Sequence, residues 1–116
     1  MFKSILAAFD GSEGAKAALR KAAELAVLCD AELKVLTVYR HHSVLEGSMY
    51  VLDAEKPDDI EQIMITHAKE VVEVGASIAR EAGCRKIRAF VKGGPRSRTI
   101  VGFAKEHDID LIVIGS

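Results

Sequence analysis

The sequence contains little of what marks secreted or membrane proteins. It has two cysteines, Cys29 and Cys84, which are too few for a disulfide framework and are not spaced as a CxxC site. Its longest apolar runs have the length of a strand, far short of the roughly 20 residues that span a bilayer. Lys3 is followed by only a short apolar run before Asp10, which is not the pattern of a signal peptide. We therefore expect a cytoplasmic protein without a membrane partner, whose cysteines are small apolar residues near helix ends.

The sequence also has no excess of positive or negative residues and no low-complexity segment. Sixteen Lys and Arg residues stand against 17 Asp and Glu residues, for a net charge of −1. The whole chain therefore carries no polyanion-binding signature, and we expect no nucleic-acid partner. With 49% hydrophobic and 28% charged residues among 116, the composition is typical of one ordered globular domain with a substantial core.

Four strand-like runs alternate with three helical patterns, which predicts βαβ units and a parallel sheet. The strands are predicted at residues 4–9, 32–39, 86–92 and 111–114, and the helices at 13–29, 58–82 and 95–107. Ser12 is predicted to cap the first helix. Asp58 and Glu61 resemble a capping box at the start of the second, which Gly83 ends. Pro95 suits the first position of the third helix.

The patterns of the strands also predict their order. Residues 4–9 and 111–114 are unbroken apolar runs, which is typical of strands buried on both faces, whereas residues 86–92 alternate with Lys and Arg as an edge strand does. Right-handed crossovers then give an open parallel sheet in the order 3-2-1-4 with helices on both faces, a Rossmann-like α/β fold. The fourth strand would be an exposed apolar edge, which natural proteins avoid. We therefore expect a fifth strand from sequence beyond residue 116 or from another chain.

This strand order predicts where a ligand binds. Open parallel sheets hold ligands beyond the carboxyl ends of their strands, at the point where the strand order reverses. Asp10 and Gly115 follow the first and fourth strands, so we expect them to face one crevice. The basic run at residues 85–98 is interpreted as a solvated edge protected by charge. His67 and His107 lie on predicted helical faces, and we interpret them as packing or boundary residues.

Residues 40–57 show no convincing periodicity. A stretch of that length is unusual in a compact domain unless it is a lid, a binding loop or disordered. Since it follows the carboxyl end of the second strand, we predict an irregular lid beside the crevice. His41 and His42 lie in it without spaced Cys or carboxylate ligands, so we interpret them as solvent-exposed and expect no metal site.

Four segments resemble the universal stress protein family in order and spacing, and together they extend over essentially the whole chain. They are ILAAFDGSE at 5–13, VLTV at 35–38, GGP at 93–95 and DLIVIGS at 110–116. The resemblance implies a cytoplasmic stress or regulatory module with a five-stranded parallel sheet in the order 3-2-1-4-5, which dimerises through its fifth strand. Against that pattern, we expect residues 1–116 to form a single domain that is incomplete at its C-terminal end.

One branch of this family binds ATP through a Gly-x2-Gly-x9-Gly-[Ser/Thr] loop after strand 4. In such a loop, backbone N–H groups approach the phosphates at a helix N-terminus. Gly115 matches the first glycine, and the resemblance implies adenine and ribose contacts from the ends of strands 1 and 2. The positions it places at ATP, with Mg²⁺ if that is bound, are Ala8, Phe9, Asp10, Gly11, Ser12, Val38, Ile114, Gly115 and Ser116. Some ATP-binding relatives have a proline where Ala8 stands.

Asp10 has two compatible interpretations. Its carboxylate accepts hydrogen bonds from ribose hydroxyls, or it organises the turn after strand 1 through local backbone N–H groups. No nucleophile, base or second carboxylate is placed at the crevice, so we expect no catalytic residue and at most weak ATP hydrolysis. The leading hypothesis is a stress-response module that binds an adenine nucleotide when complete. The alternative is a dimeric interaction protein of the same family that binds no nucleotide.

Overall fold

The computed structural model of the chain describes residues 1–40 and 57–115. Within these ranges, strands and helices alternate as predicted. The elements are β1 (Ser4–Ala8), α1 (Glu13–Cys29), β2 (Glu32–Tyr39), α2 (Pro57–Glu81), β3 (Ile87–Gly93), α3 (Arg96–Glu106) and β4 (Leu111–Ile114). Several predictions lie outside the described residues: the lid at 40–57 apart from its end residues, the exposure of His41 and His42, the side chain of Asp58, and Ser116.

The strands form one parallel sheet in the order β3-β2-β1-β4, which confirms the predicted Rossmann-like architecture. β1 is central because it is apolar on both faces. Ile5 and Leu6 point to opposite faces, and both are fully buried. β3 forms one edge, where the cationic side chains of Arg88 and Lys92 are exposed. β4 is the outermost described strand on the other side and pairs with β1 along its whole length.

Helix α1 is fixed at its start by the predicted cap, Ser12, and at its end by Asp30. The Ser12 hydroxyl accepts a hydrogen bond of 3.1 Å from the N–H of Ala15, and Asp30 ends the helix in the left-handed conformation at φ 55°. Small residues on this helix let it lie close to the sheet. A Cβ atom on Gly115, just after β4, would lie 2.4 Å from the carbonyl oxygen of Gly14 in α1.

The other boundaries differ from the predictions by about one residue, the usual uncertainty at element ends. Helix α2 begins at Pro57 and not at Asp58. Pro95 is the N-cap of α3 and not its first helical residue, since its ψ of 134° is extended, and no side chain caps this end. β3 begins at Ile87 and not at residue 86. Each shift leaves the predicted order of the elements unchanged.

The core lies on both faces of the sheet. On one face α1 and α2 cover β1 and β2, with Phe9 and Leu19 among the fully buried side chains. On the other face α3 packs Phe103 against Leu36. His107 has the predicted packing role, since its ring stacks on that of Phe103 with centroids 4.0 Å apart. None of the described helices is long and apolar enough to cross a membrane.

Candidate functional site

A cavity of about 430 Å³ opens at the carboxyl ends of β1 and β2, between the sheet and α2. Its size is in the range of roughly 300–1,000 Å³ that small-molecule sites occupy. Residues in β2 and just beyond the ends of β1 and β2 supply most of its polar groups, and α2 supplies most of its apolar wall. The lining residues are Asp10, Thr37, Val38, Tyr39, Arg40, Ile63, Met64, His67, Ala68 and Val71.

The end of β1 is held rigidly, and this fixes where Asp10 lies. The N–H of Phe9 donates to the carbonyl of Leu36 at 2.9 Å. The buried hydroxyl of Thr37 donates to the carbonyl of Phe9 at 2.8 Å. The Phe9 ring is 1% exposed and packs under α2, where a Cβ atom on Gly75 would lie 2.8 Å from its Cδ2. The side chain of Phe9 is therefore part of the core, and Asp10 is the first residue of this turn to reach the cavity.

Asp10 carries an ionised carboxylate at the rim of the cavity. Its Oδ1 accepts a hydrogen bond of 2.9 Å from the N–H of Ser12, and its Oδ2 lies 3.5 Å from Nη1 of Arg96. The hydrogen bonds from Ser12, followed by the Arg96 charge, hold the pKa of Asp10 below its ordinary value. The side chain is 42% exposed, so the carboxylate organises the turn and still presents an acceptor to the cavity.

The turn after Asp10 depends on a glycine. Gly11 has a φ of +87°, a backbone conformation that residues with a Cβ atom seldom adopt. It brings Ser12 into position both to donate its N–H to Asp10 and to cap α1. Gly11 and Ser12 thus adjoin the cavity and orient Asp10.

Tyr39 forms a rigid wall of the cavity. Its hydroxyl donates to Oε2 of Glu61 at 3.4 Å, and its ring lies against Gly93, where a Cβ atom would be 2.6 Å from its Cζ. The N–H of Gly94 donates to the carbonyl of Tyr39 at 3.1 Å. Partial burial, followed by the Glu61 charge, raises the pKa of Tyr39. The phenol is therefore neutral at physiological pH and is held against the β3–α3 turn.

The predicted site residues occupy two neighbouring regions. Asp10 and Val38 line the cavity, whereas the side chain of Ala8 is buried at 5% exposure. Ile114 and Gly115 lie at the end of β4, which pairs with β1 so that Ile114 is opposite Ala8. The carboxyl ends of β1, β2 and β4 thus share one edge of the sheet. Of the predicted pair Asp10 and Gly115, however, only Asp10 lines this cavity, so a shared crevice stays a prediction.

The sequence interpretation missed the wall that α2 provides. Met64, His67, Ala68 and Val71 recur at the spacing of one helix face, and that spacing is the signal by which they could have been found. His67 is interpreted from the sequence as a packing or boundary residue, but it is exposed and lines the cavity, so it has no packing role. No sequence motif indicates Tyr39, Arg40 or Arg96 as site residues. Only the tertiary structure shows that Tyr39 and Arg40 line the same cavity as Asp10 and that Arg96 pairs with it.

Comparison with known proteins gives one consistent result. A family model, described as the universal stress protein family, matches residues 1–116. The chain is 33% identical over 120 residues to universal stress protein YxiE of Bacillus subtilis (strain 168), and the match covers all of this chain and 80% of YxiE.

Solved structures show the same fold. A universal stress protein from Archaeoglobus fulgidus in complex with dAMP is 29% identical, with a TM-score of 0.65 over 98% of this chain and 80% of that one. A universal stress protein in complex with cAMP has a TM-score of 0.70 over 96% of this chain and 70% of that one. Its identity is only 18%, so this second likeness concerns the fold alone.

Proposed function

We propose that this chain, which belongs to the universal stress protein family, binds an adenine nucleotide at the carboxyl ends of β1 and β2. The observation that carries the proposal is the cavity of about 430 Å³ with an ionised Asp10 at its rim. A universal stress protein of similar fold that is 29% identical and was solved with dAMP supports the choice of an adenine ligand. In the cell, this binding would serve a cytoplasmic stress-response module.

The lining fits the two uncharged parts of such a ligand. Met64, Ala68 and Val71 on α2 offer apolar surface to a purine base, and burial of that base supplies non-directional affinity. Asp10 accepts hydrogen bonds only, which suits the hydroxyl groups of a ribose. The hydroxyl of Thr37 is already used on the carbonyl of Phe9. Asp10 is therefore the side chain that would fix the sugar.

We extend the proposal to ATP with Mg²⁺ as the physiological ligand, with residues 1–116 acting as one domain of a homodimer. Mg²⁺ is usually held by one or two carboxylates together with substrate phosphates. Since Asp10, the carboxylate that lines the described crevice, is assigned to the ribose, the phosphates of the ligand would supply the oxygens that hold Mg²⁺. The N–H of Gly115, at the end of neighbouring β4, would be available to donate to a phosphate of the bound nucleotide.

Calorimetric titration of adenine and adenosine into the wild-type chain and an Asp10→Asn variant tests the site. Asparagine still accepts from the N–H of Ser12, so the turn is retained. A hydrogen bond to a charged group contributes about 1.5–3 kcal/mol. We therefore expect Asp10→Asn to weaken adenosine binding about tenfold or more and to leave adenine binding nearly unchanged.

Asp110→Asn is the matched control. Asp110 is also a carboxylate that accepts backbone N–H bonds, at 2.7 and 2.9 Å, but it precedes β4 at the opposite edge of the sheet. This variant should bind both ligands as the wild type does. Failure of the wild-type chain to bind adenine or adenosine at millimolar concentration would reject the proposed base and ribose site and favour the dimeric interaction protein. Equal losses for adenine and adenosine would confine Asp10 to its role in the turn.

A further inference from the structure

We propose that Arg96 makes this site selective for nucleoside phosphates over nucleosides, by contacting the phosphate of a ligand whose ribose is held by Asp10. The inference rests on the proposed nucleotide site and deepens it. It assigns the phosphate contact to a side chain at the start of α3, which reaches the crevice from the sheet face opposite α2.

The contact between Arg96 and Asp10 is too long and too exposed to contribute much to the stability of the fold. Nη1 and Oδ2 are 3.5 Å apart, and the two side chains are 44% and 42% exposed. Exposed ion pairs of this kind contribute about 0–1 kcal/mol. The pair instead places a cation beside the oxygen of Asp10 that Ser12 leaves open.

That position suits a phosphate bonded to the same sugar. If a ribose hydroxyl donates to Oδ2 of Asp10, a phosphate ester on that ribose lies a few bonds away, and the guanidinium is already 3.5 Å from Oδ2. A guanidinium carries five N–H donors in a planar fork that matches phosphate oxygens. One donor faces Asp10, and the others remain for the ligand.

The surroundings of Arg96 favour an anion and disfavour an isolated cation. Arg96 opens α3, Arg98 follows in the same turn, and that turn contains no acidic residue. Cations at the positive end of a helix dipole are disfavoured by about 0.3–1 kcal/mol. A bound phosphate would relieve this repulsion while Asp10 holds Arg96 toward the crevice.

Two nearby cations need to be distinguished from Arg96. Arg40 lines the cavity from the end of β2, so it is the competing candidate for the phosphate contact. Lys92 is directed elsewhere, since its Nζ lies 3.8 Å from Oε1 of Glu106. The experiment therefore has to include Arg40.

The test compares AMP with adenosine, which differ only in the phosphate, by calorimetric titration of the full chain. Arg96→Ala is expected to weaken AMP binding about tenfold, the effect of one charge-assisted hydrogen bond, and to leave adenosine binding nearly unchanged. Arg96→Lys keeps the charge but loses the planar fork of donors, so its affinity for AMP should lie between those of the wild type and Arg96→Ala. Arg98→Ala removes the same charge from the same turn and should leave both affinities unchanged.

Each other outcome counts against the inference in a different way. Equal losses for AMP and adenosine in Arg96→Ala would show that Arg96 acts only through Asp10. A loss specific to AMP in Arg40→Ala, with none in Arg96→Ala, would assign the phosphate to Arg40. If the wild-type chain bound adenosine but gained nothing from the phosphate, the proposed site would stand and this inference would fail. If it bound neither ligand, both would fail. Unchanged thermal unfolding of each variant verifies that it is folded.

Discussion

At the scale of single residues, Gly75 lies where α2 presses on the buried ring of Phe9. A Cβ atom there would be 2.8 Å from Cδ2 of Phe9, and that ring is 1% exposed, so it has no free space to move into. Overpacking of this kind destabilises by about 1–3 kcal/mol. We expect Gly75→Ala to lower the free energy of unfolding by that amount in urea denaturation.

Gly102 provides the matched control because the same substitution there has the opposite expected sign. It lies within α3, and a Cβ atom would meet nothing within 4 Å. Alanine is favoured over glycine in a helix by about 0.8–1 kcal/mol. Gly102→Ala should therefore raise the free energy of unfolding. Stabilisation by both substitutions would contradict the close approach of α2 to Phe9.

A comparison of Gly75 with two other glycines shows which single-residue features can be predicted from a sequence. Gly11 before a helix cap and Gly83 after a helical pattern are recognisable because local geometry requires them, and both have positive φ. Gly75 lies inside a helical pattern with no local reason for glycine. Its reason is the Phe9 ring, more than sixty residues away along the chain. Such a reason becomes visible only when tertiary contacts are known.

At the scale of elements, Asp110 ties the start of β1 to the loop that leads into β4. Its Oδ2 accepts from the N–H groups of Lys3 at 2.7 Å and Ser4 at 2.9 Å, and its own N–H donates to the carbonyl of Ser4 at 2.8 Å. The two hydrogen bonds to the carboxylate lower the pKa of Asp110 in the folded chain. The contact between the start of β1 and the loop before β4 is therefore stronger when the Asp110 carboxyl group is ionised.

The sign of the pH dependence follows from the lowered pKa. A carboxyl group with a lowered folded-state pKa stabilises the fold fully above its unfolded pKa of about 3.9 and loses that contribution as the pH falls through the folded value. We expect Asp110→Ala to unfold at lower urea concentration than the wild type at neutral pH. The difference should narrow as the pH falls below about 4. A difference that stayed constant while both chains remained folded would contradict this role of the charge.

Elements were predictable where their signals are local. The unbroken apolar run of β1 and the charged alternation of β3 follow directly from burial on two faces and exposure at an edge, and together with right-handed crossovers they were enough to give the strand order. The run Leu111–Ile114 has the same apolar pattern, but its residues alternate between half-buried and exposed in the described structure. The cavity was predictable only on its strand side. Its other wall is the face of α2 that contains Met64 and His67, and no local pattern specifies which strand ends that face will cover.

At the scale of the whole molecule, β4 is the outermost described strand on its side of the sheet. Ile112 is 37% exposed and Ile114 is 55% exposed, on a strand whose described partner is β1 alone. An apolar strand edge of this kind is a template for pairing with another strand. We therefore expect a strand from sequence beyond residue 116 or from another chain to cover β4, and for residues 1–116 alone this is a second copy of the chain.

Sedimentation of the wild-type chain across the micromolar range should therefore give a species of twice the 12.6 kDa chain mass. Ile112→Lys introduces a charge into the apolar edge, a change that blocks strand pairing, and should shift the equilibrium to the monomer by about tenfold or more. Val101→Lys is the matched control, since Val101 is 47% exposed but lies on α3, and it should leave the dimer intact. A stable wild-type monomer would contradict the dimer, whereas dissociation by Val101→Lys with no effect of Ile112→Lys would move the interface from β4 to α3.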